Sequence, residues 1–411
     1  MTKEEARATV VLVGTLDTKG LAYAYLRDRI REHGAEVLLI DVGVLGEPLV
    51  EPDIAREGVA RAAGADIEQL ARAGDRAAAL EAMGRGVAAI VERLHAEGRL
   101  GGVAGLGGSG GSAIFADAIH SLPLGVPKLL VSTVVAGDTR PYVHASDVTL
   151  MYSVVDIAGM NSVLAQILTN AAGAIAGMVN AQAPPLGEPR PTVGVSMWGI
   201  TTPCVTRAAE RLAELGYEVL IFHQTGTGGR SMEELMRAGA ITAVLDVTLA
   251  ELAGELLGGL WPAVPERLEV AGSLALPQVV ALGALDFVAL GPTVPERFQS
   301  RRLYTHSPQL VGVRTTPEEC AELGKTIAHK LNAARGPTAL FVPLRGVSLI
   351  SVEGGLFHDP DADAALFAAV REYLDRSRVE LCELDFDINH PEFALAVANR
   401  LHDLYQQWKR A

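Results

Sequence analysis

The stretch from Gly101 to Ser112 limits the possible folds more than any other part of the sequence, because it is mostly glycine between two regular elements. Apolar residues up to Leu106 predict a short buried strand, and residues 113–120 predict a helix with one apolar face. Such a turn lets backbone N–H groups converge on an anion at the helix N-terminus, with Ser112 as a possible cap. The same turn also lets a helix pack closely on a sheet, so phosphate binding and close packing are both open interpretations.

The spacing Gly105-x-Gly107-x-x-Gly110 formally matches the dinucleotide-binding fingerprint. The next predicted strand, however, ends in Ser132-Thr133, where a ribose-binding acid would be expected. NAD is therefore a secondary interpretation. No Gly-x-x-x-x-Gly-Lys-Ser/Thr occurs in the sequence, which excludes a P-loop by pattern.

Composition narrows the class of protein. The 411 residues are 49% hydrophobic and 20% charged, as in a globular protein with two domains. A net charge of −14 argues against nucleic-acid and anionic-membrane partners, so a phosphate would be held by local dipoles and a few cations. Three cysteines without metal-ligand spacing favour a reducing cytoplasm. We find no apolar run near the roughly 20 residues of a membrane span.

Buried strands alternate with helices through the whole chain. This pattern predicts two doubly wound α/β domains of Rossmann-like type with mainly parallel sheets. A proline-rich linker at 183–190 would separate a nucleotide-binding domain, residues 1–182, from a second domain, residues 191–411. We expect ligands at the carboxyl edges of the strands and in the cleft between the domains.

The turn Gly14-Thr-Leu-Asp-Thr-Lys19 follows the first predicted strand and carries two hydroxyls, a carboxylate and an amine. Lys19 could neutralise a phosphate to which both threonines donate, and Asp17 could hold Mg²⁺. Alternatively, Asp17 or Thr18 caps the helix and Lys19 lies in solvent.

Two further features would lie near this turn. The second predicted strand ends in Asp41, which could meet a ribose hydroxyl or bond to a turn. Residues 48–75 are polar and alanine-rich with short helical pieces at best, so we expect a mobile insert near the site.

A second glycine-rich turn, His223-Gln-Thr-Gly-Thr-Gly-Gly-Arg230, also joins a predicted strand to a helix. Its glycines, with Arg230 and His223, predict a second anion site, although a flexible turn is the alternative. Cys204 lies in Thr201-Thr-Pro-Cys204 at another helix start, where the dipole could favour a thiolate; a small buried thiol is the alternative.

Several motifs together resemble the Tm-one-like ATP-binding family, which includes a plant protein conferring resistance to tomato mosaic virus. The motifs that carry the resemblance are Gly14-Thr-Leu-Asp-Thr-Lys19, Gly105-Leu-Gly-Gly-Ser-Gly-Gly111, Val131-Ser-Thr-Val134, Ser153-Val-Val-Asp-Ile157, Thr201-Thr-Pro-Cys-Val205, Phe222-His-Gln-Thr-Gly-Thr-Gly-Gly-Arg230 and Gly283-Ala-Leu-Asp286. The resemblance implies two Rossmann-like domains with ATP and Mg²⁺ in the first. Plant relatives carry a further TIM-barrel domain after the matched region. Leu16 departs from the plant alanine, and residues 48–75 bear little likeness.

We therefore expect a protein that binds Mg·ATP and activates or phosphorylates a small anionic metabolite in the interdomain cleft. A nucleotide-binding sensor without turnover and an NAD-dependent oxidoreductase are the alternatives, and a homodimer is the default assembly. The expected cofactor-binding residues are Gly14, Thr15, Asp17, Thr18, Lys19, Asp41, Gly107, Gly108, Ser109, Gly110, Gly111, Ser132 and Thr133, with Asp17 on the metal. The expected substrate-binding residues are Thr201, Thr202, His223, Thr225, Gly226, Gly228, Gly229 and Arg230, and the catalytic candidates are Cys204, His223 and Arg230.

Overall fold

The structure is a computed structural model that describes residues 9–182, 184 and 187–410. The chain divides after residue 186 into two compact units, each built on its own parallel sheet. We call them the first unit and the second unit. Of the linker expected at 183–190, residues 183, 185 and 186 lie outside the described residues, as do residues 1–8 and residue 411 of the two expected domains.

Five parallel strands form the sheet of the first unit, in the order β2-β1-β3-β4-β5. Apolar residues fill both faces of the inner strands, because helices cover the sheet on both sides. The strands are β1 Thr9–Gly14, β2 Glu36–Asp41, β3 Gly102–Gly107, β4 Lys128–Ser132 and β5 Thr149–Tyr152.

The helices of the first unit are α1 Leu16–Glu32, α2 Arg56–Ala62, α3 Ile67–Ala73, α4 Arg76–Ala96, α5 Ser109–His120, α6 Arg140–Val143 and α7 Ser162–Asn180. Alternate residues of β1 point to opposite faces of the sheet. Val10 and Leu12 pack in one core with α1 and α7, whereas Val11 and Val13 pack in another with α4 and α5. The chain therefore crosses from one face to the other between α1 and α4.

Helix α7 is long and apolar, although its sequence contains no continuous apolar run near the length of a membrane span. Its 19 residues make it, by length and composition, the one described helix that could cross a membrane. Leu164, Leu168 and Ile175 are nevertheless buried against the sheet of the first unit. We therefore describe α7 as a core helix that covers one face of this sheet.

The segment from 48 to 75, expected as a mobile insert, contains two short helices, α2 and α3. Val59 and Ala60 of α2 are buried in the same core as α4, and Ile67 and Leu70 of α3 pack against that core. These apolar contacts hold the segment beside the carboxyl edge of the sheet.

Six parallel strands form the main sheet of the second unit, in the order β14-β13-β9-β8-β6-β7. Three others form a small antiparallel sheet in the order β10-β12-β11. The strands are β6 Thr192–Met197, β7 Glu218–His223, β8 Ala243–Thr248, β9 Gln278–Gly283, β10 Phe287–Leu290, β11 Leu303–Ser307, β12 Leu310–Arg314, β13 Thr338–Pro343 and β14 Val379–Leu384.

Helices again cover both faces of the main sheet: α8 and α14 pack on one face, and α10, α12 and α13 pack on the other. The helices of the second unit are α8 Thr202–Glu214, α9 Thr227–Arg237, α10 Ala250–Leu257, α11 Val270–Ser273, α12 Pro317–Asn332, α13 Pro360–Tyr373 and α14 Pro391–Arg410. The expected fold class, two α/β units with mainly parallel sheets, is confirmed. The small antiparallel sheet is an addition that the sequence analysis did not predict.

Candidate functional site

The strand order of the first unit creates a crevice at one place. Strands β1 and β3 are neighbours, but the helices that follow them, α1 and α5, lie on opposite faces of the sheet. The turns after β1 and β3 therefore diverge from each other at the carboxyl edge. This is the topological switch point at which open α/β sheets bind ligands.

Tyr23 of α1 holds the ends of these two strands. Its hydroxyl accepts a hydrogen bond from the Leu106 amide at 2.8 Å and donates toward the Val13 carbonyl. A Cβ on Gly14 would lie 1.9 Å from the Tyr23 ring, so only glycine fits there. Burial raises the pKa of Tyr23, which keeps the hydroxyl neutral and able to donate. Gly14 is thus needed for the close packing of Tyr23 against β1.

The turn after β1 is fixed by Asp41 from the end of β2. Asp41 Oδ1 accepts hydrogen bonds from the Leu16 amide at 3.0 Å and the Gly43 amide at 2.9 Å. The Asp41 carboxyl is only 1% exposed, and this burial raises its pKa. Asp41 thus bonds a turn through Oδ1, while its Oδ2 is buried and has no hydrogen-bond partner among the described residues.

Asp17 and Lys19 lie on the first turn of α1. Asp17 Oδ2 accepts a hydrogen bond from the Gly46 amide at 3.3 Å, whereas its Oδ1 is buried and has no hydrogen-bond partner among the described residues. Lys19 Nζ donates to the Ile157 carbonyl at 3.0 Å, which ties this turn to the segment after β5. A carboxylate oxygen without a donor is suited to a cation.

The glycine-rich loop leads from β3 into α5, with Gly108 as N-cap and Ser109 as the first helical residue. Ser112, expected as a possible cap, lies inside the helix, where its hydroxyl bonds the Ser132 hydroxyl at 2.7 Å. The first-turn amides of a helix have no carbonyl in their own helix to bind. The N-terminus of α5 is therefore available to an anion, as its sequence predicts.

The turn after β1 and the glycine-rich loop after β3 line one cavity of about 410 Å³ at the switch point. The expected residues that line it are Thr15, Asp17, Thr18, Lys19, Gly108, Ser109, Gly110 and Gly111. Gly14, Asp41, Gly107, Ser132 and Thr133 are not among the lining residues and instead support the turns around them. Thr133, for example, donates its amide to the Gly107 carbonyl at 3.2 Å, and Ser132 is fully buried.

Sequence reasoning missed the other wall of this cavity. It comes from α3, α4 and the β2–α2 loop, and most of its side chains are apolar. This wall contains Leu45, Leu70, Arg76, Leu80 and Met83. The only sequence indication of this wall was the position of residues 48–75 between β2 and α4, which led us to place the insert near the site.

The second glycine-rich loop, at the start of α9, already holds a carboxylate of the protein. Glu251 Oε1 accepts hydrogen bonds from the Gly226 amide at 2.6 Å and the Gly229 amide at 3.2 Å. A Cβ on Gly228 would lie 1.8 Å from the His223 carbonyl oxygen, so this glycine permits close packing. The Gly226 and Gly229 amides, which were expected to bind a substrate, thus bind Glu251, which is 1% exposed.

Glu251 belongs to a buried network around Arg267, which is itself 0% exposed. The Arg267 guanidinium contacts Glu251 at 3.0 Å, Asp246 Oδ1 at 2.7 Å and Glu233 at 3.6 Å. These carboxylates raise the pKa of Arg267, and burial raises the pKa of Glu233 to about 7. A proton on Glu233 reduces the excess of negative charge in this network.

The residues before α8 are also engaged within the second unit. Thr201 is fully buried, and its hydroxyl bonds the Thr248 hydroxyl at 2.7 Å, while Thr202 donates to the Trp198 carbonyl at 3.2 Å. Burial and the nearby Asp387 raise the pKa of Cys204 to about 12. Cys204 is therefore a buried thiol, which is the alternative that the sequence left open.

The remaining candidates of the second unit lie near the surface. His223 is exposed, and its Nδ1 lies 3.4 Å from the Met197 carbonyl. Thr225 Oγ1 is 3.4 Å from the His223 carbonyl, and Arg230 is half-buried. Within the described part of the chain, no group of three or more His, Cys, Asp or Glu side chains is arranged to hold a metal.

Comparison with known proteins finds one relative matched over nearly its full length and a longer relative matched over less than half of its length. The chain is 47% identical over 400 residues to a UPF0261 protein from Clostridium tetani, covering 97% of this chain and 99% of the relative. It is 40% identical over 332 residues to the ToMV resistance protein Tm-1(GCR237) of Solanum lycopersicum, covering 79% of this chain and 44% of the tomato protein.

Solved structures are much less similar. A UDP-N-acetylglucosamine 2-epimerase from Rickettsia bellii covers 98% of this chain and 97% of its own at 11% identity, with a TM-score of 0.25, which supports no argument about function. Residues 8–184 match the N-terminal domain of the uncharacterised protein family UPF0261, and residues 190–405 match its C-terminal domain. From both domains and from the sequence relatives, the chain belongs to the UPF0261 family.

Proposed function

We propose that the first unit binds a nucleotide, ATP with Mg²⁺, in the cavity at the β1/β3 switch point. One observation supports this most: the turn after β1 and the N-terminus of α5 converge on a single cavity of about 410 Å³. Its volume falls in the range usual for small-molecule sites, roughly 300–1,000 Å³. Polar groups on one side and leucines on the other suit a ligand with an anionic end and a largely apolar body.

The residues in the cavity fit the proposed cofactor. The amides of Ser109, Gly110 and Gly111 would hold phosphate oxygens, with Thr15 and Thr18 as further donors. Mg²⁺ often uses one or two carboxylates together with phosphate oxygens and waters. Asp17, whose buried Oδ1 has no hydrogen-bond partner among the described residues, would be that carboxylate. The ion would screen phosphate charge during transfer or hydrolysis.

The proposed use of ATP is to activate or phosphorylate a small anionic metabolite. The glycine-rich loop of α9 gives this part no support, because Glu251 binds its amides. A nucleotide sensor without turnover is the alternative. Metabolite-dependent ATP consumption would exclude the sensor. We keep the cytoplasm and a homodimer as the proposed location and assembly, which cell fractionation and light scattering would test.

The test uses two matched substitutions at the first residue of a helix. Ser109→Asp puts a carboxylate at the start of α5, where it favours the helix dipole but repels phosphate. Thr227→Asp makes the same change at the start of α9, after the N-cap Gly226. We would follow thermal unfolding of the wild type and both variants with Mg·ATP, Mg·ADP and NAD.

We expect Mg·ATP to stabilise the wild type and Thr227→Asp by about 2.7 kcal/mol at a ligand concentration 100-fold above Kd. The thermal unfolding of Ser109→Asp should not change when Mg·ATP is added. Stabilisation by NAD alone would favour the oxidoreductase. If no nucleotide stabilises the wild type, or if Ser109→Asp responds as the wild type does, nucleotide binding at this site is wrong.

A further inference from the structure

The break between α3 and α4 directs one arginine at the glycine-rich loop. Gly74 ends α3 in the left-handed conformation, with φ +65°, and Asp75 caps α4 by accepting hydrogen bonds from the Ala77 and Ala78 amides at 3.0 and 3.1 Å. Arg76 is therefore the first residue of α4. The short connection fixes where this side chain leaves the helix.

The Arg76 guanidinium lies against Gly110 of the loop. A Cβ on Gly110 would be 3.3 Å from Arg76 Nη2, so the missing side chain makes room for the guanidinium. Both residues line the cavity. Arg76 thus stands beside the first-turn amides of α5, with its charge at the place where these amides attract an anion.

The two cations of this cavity differ in their partners. Lys19 Nζ donates to the Ile157 carbonyl at 3.0 Å. Arg76, by contrast, makes no hydrogen bond or ion pair with any residue in the described ranges, and the adjacent Asp75 is engaged with the α4 amides. A guanidinium offers a planar pair of donors that matches two phosphate oxygens.

From these contacts we infer that Arg76 binds a phosphate group of the ligand against the Gly108–Gly111 loop and makes affinity at this site depend on the number of phosphates. The inference rests on the nucleotide binding proposed above. It gives residues 67–76 a specificity role: α3 contributes Leu70 to the apolar wall, and the next turn contributes the phosphate-binding cation.

The test measures Kd by calorimetry for Mg·ATP, Mg·ADP, AMP and adenosine. Arg76→Gln removes the charge but keeps most of the side chain, and Arg76→Lys keeps a point charge without the planar donors. Arg85→Gln is the matched control, because Arg85 is on the same helix, pairs with Glu81 and does not line the cavity.

We expect Arg76→Gln to weaken the binding of Mg·ATP by about 10-fold or more. The affinity for AMP should fall by less, and the affinity for adenosine should not change. Arg76→Lys should fall between Arg76→Gln and the wild type, and Arg85→Gln should match the wild type. The salt dependence of ATP binding should also be shallower in Arg76→Gln.

Equal losses of affinity for ATP and adenosine in Arg76→Gln would overturn the inference, since Arg76 would then support the cavity rather than bind phosphate. Unchanged ATP affinity in Arg76→Gln, with ATP response lost in Ser109→Asp, would overturn this inference alone. If the wild type binds none of the four ligands, the proposed function fails as well.

Discussion

The two glycine-rich loops of this protein have similar sequences and different surroundings. Each joins a parallel strand to a helix, with glycine at the N-cap and a hydroxyl residue first in the helix. At α5 the loop borders an open cavity, whereas at α9 the Gly226 and Gly229 amides bind the carboxylate of Glu251. The same local chemistry thus borders an open cavity in one unit and binds a carboxylate of the protein in the other.

The second unit also has a switch point, because its neighbouring strands β6 and β8 are followed by helices α8 and α10 on opposite faces of the sheet. The strand ends at the two switch points differ. In the first unit the Tyr23 hydroxyl lies between the ends of β1 and β3. In the second unit, Ser196 of β6 donates to Asp246 of β8 at 2.6 Å and accepts from the Thr248 amide at 2.8 Å. These direct bonds join β6 to β8, and Arg267 fills the space beside them. Side chains that arrive from distant segments thus decide whether the space at a switch point is open or filled.

The largest effect should come from removing the guanidinium of Arg267, which is buried in the second unit. Arg267→Met leaves three buried carboxylates without their counter-charge, so we expect the free energy of unfolding to fall by about 3–5 kcal/mol. Urea unfolding would measure it. Arg237→Met, which removes an exposed pair with Glu234, should cost about 1 kcal/mol or less. Similar losses in the two variants would mean that the network does not stabilise this unit.

Protonation of Glu233 should make the second unit sensitive to pH. Burial raises the pKa of Glu233 from 4.5 to about 7, so between these values the folded state binds the proton more tightly than the unfolded state. The contribution of this carboxyl to stability is therefore present at low pH and is lost as pH rises through about 7.

Glu233→Gln should remove this pH dependence and, near pH 8, be more stable than the wild type by up to about 3 kcal/mol. Urea unfolding from pH 5 to pH 8 would measure the difference. Asp363, whose pKa burial raises to about 6, contributes equally to both proteins and cancels. Parallel stability profiles for the two proteins would contradict the prediction.

Alanine substitutions of one glycine in each loop should have smaller effects on stability, and these effects should differ between the two loops. Gly228→Ala places a Cβ 1.8 Å from the His223 carbonyl oxygen and should cost about 1–3 kcal/mol of unfolding free energy. Gly110→Ala meets only the side-chain ends of Arg76 at 3.3 Å and Leu80 at 3.4 Å, and it should leave stability within about 0.5 kcal/mol. The affinity for nucleotide should fall in Gly110→Ala and should be unchanged in Gly228→Ala. A stable Gly228→Ala protein with weakened nucleotide binding would reverse our assignment of the loops.

Local patterns in the sequence predict much of the fold. Continuous apolar runs predict buried strands such as β1 and β4, and the glycine-rich stretch predicts the turn into α5, since each depends on neighbours in the chain. The small sheet of β10, β11 and β12 was missed as a sheet, because a local pattern can indicate a strand but not the partners with which it pairs.

The site was less predictable than the fold, because its contacts join distant residues. Glu251 reaches Gly226 across 25 positions, and no local pattern marks Glu251 as an internal anion. The raised pKa of Cys204 depends on burial beneath elements from the C-terminal end of the chain. Arg76 was missed because it lies in an alanine-rich stretch, and only the fold brings it to Gly110.

The Tyr23 hydroxyl has a consequence for synthesis on the ribosome. It joins α1 to Leu106, 83 positions further along the chain, and β3 occupies the place beside β1 at the centre of its sheet. A nascent chain that ends before β3 has neither the second strand of the crevice nor the helix that follows it. A ligand in this crevice would therefore stabilise this unit only after about the first quarter of the protein has left the exit tunnel.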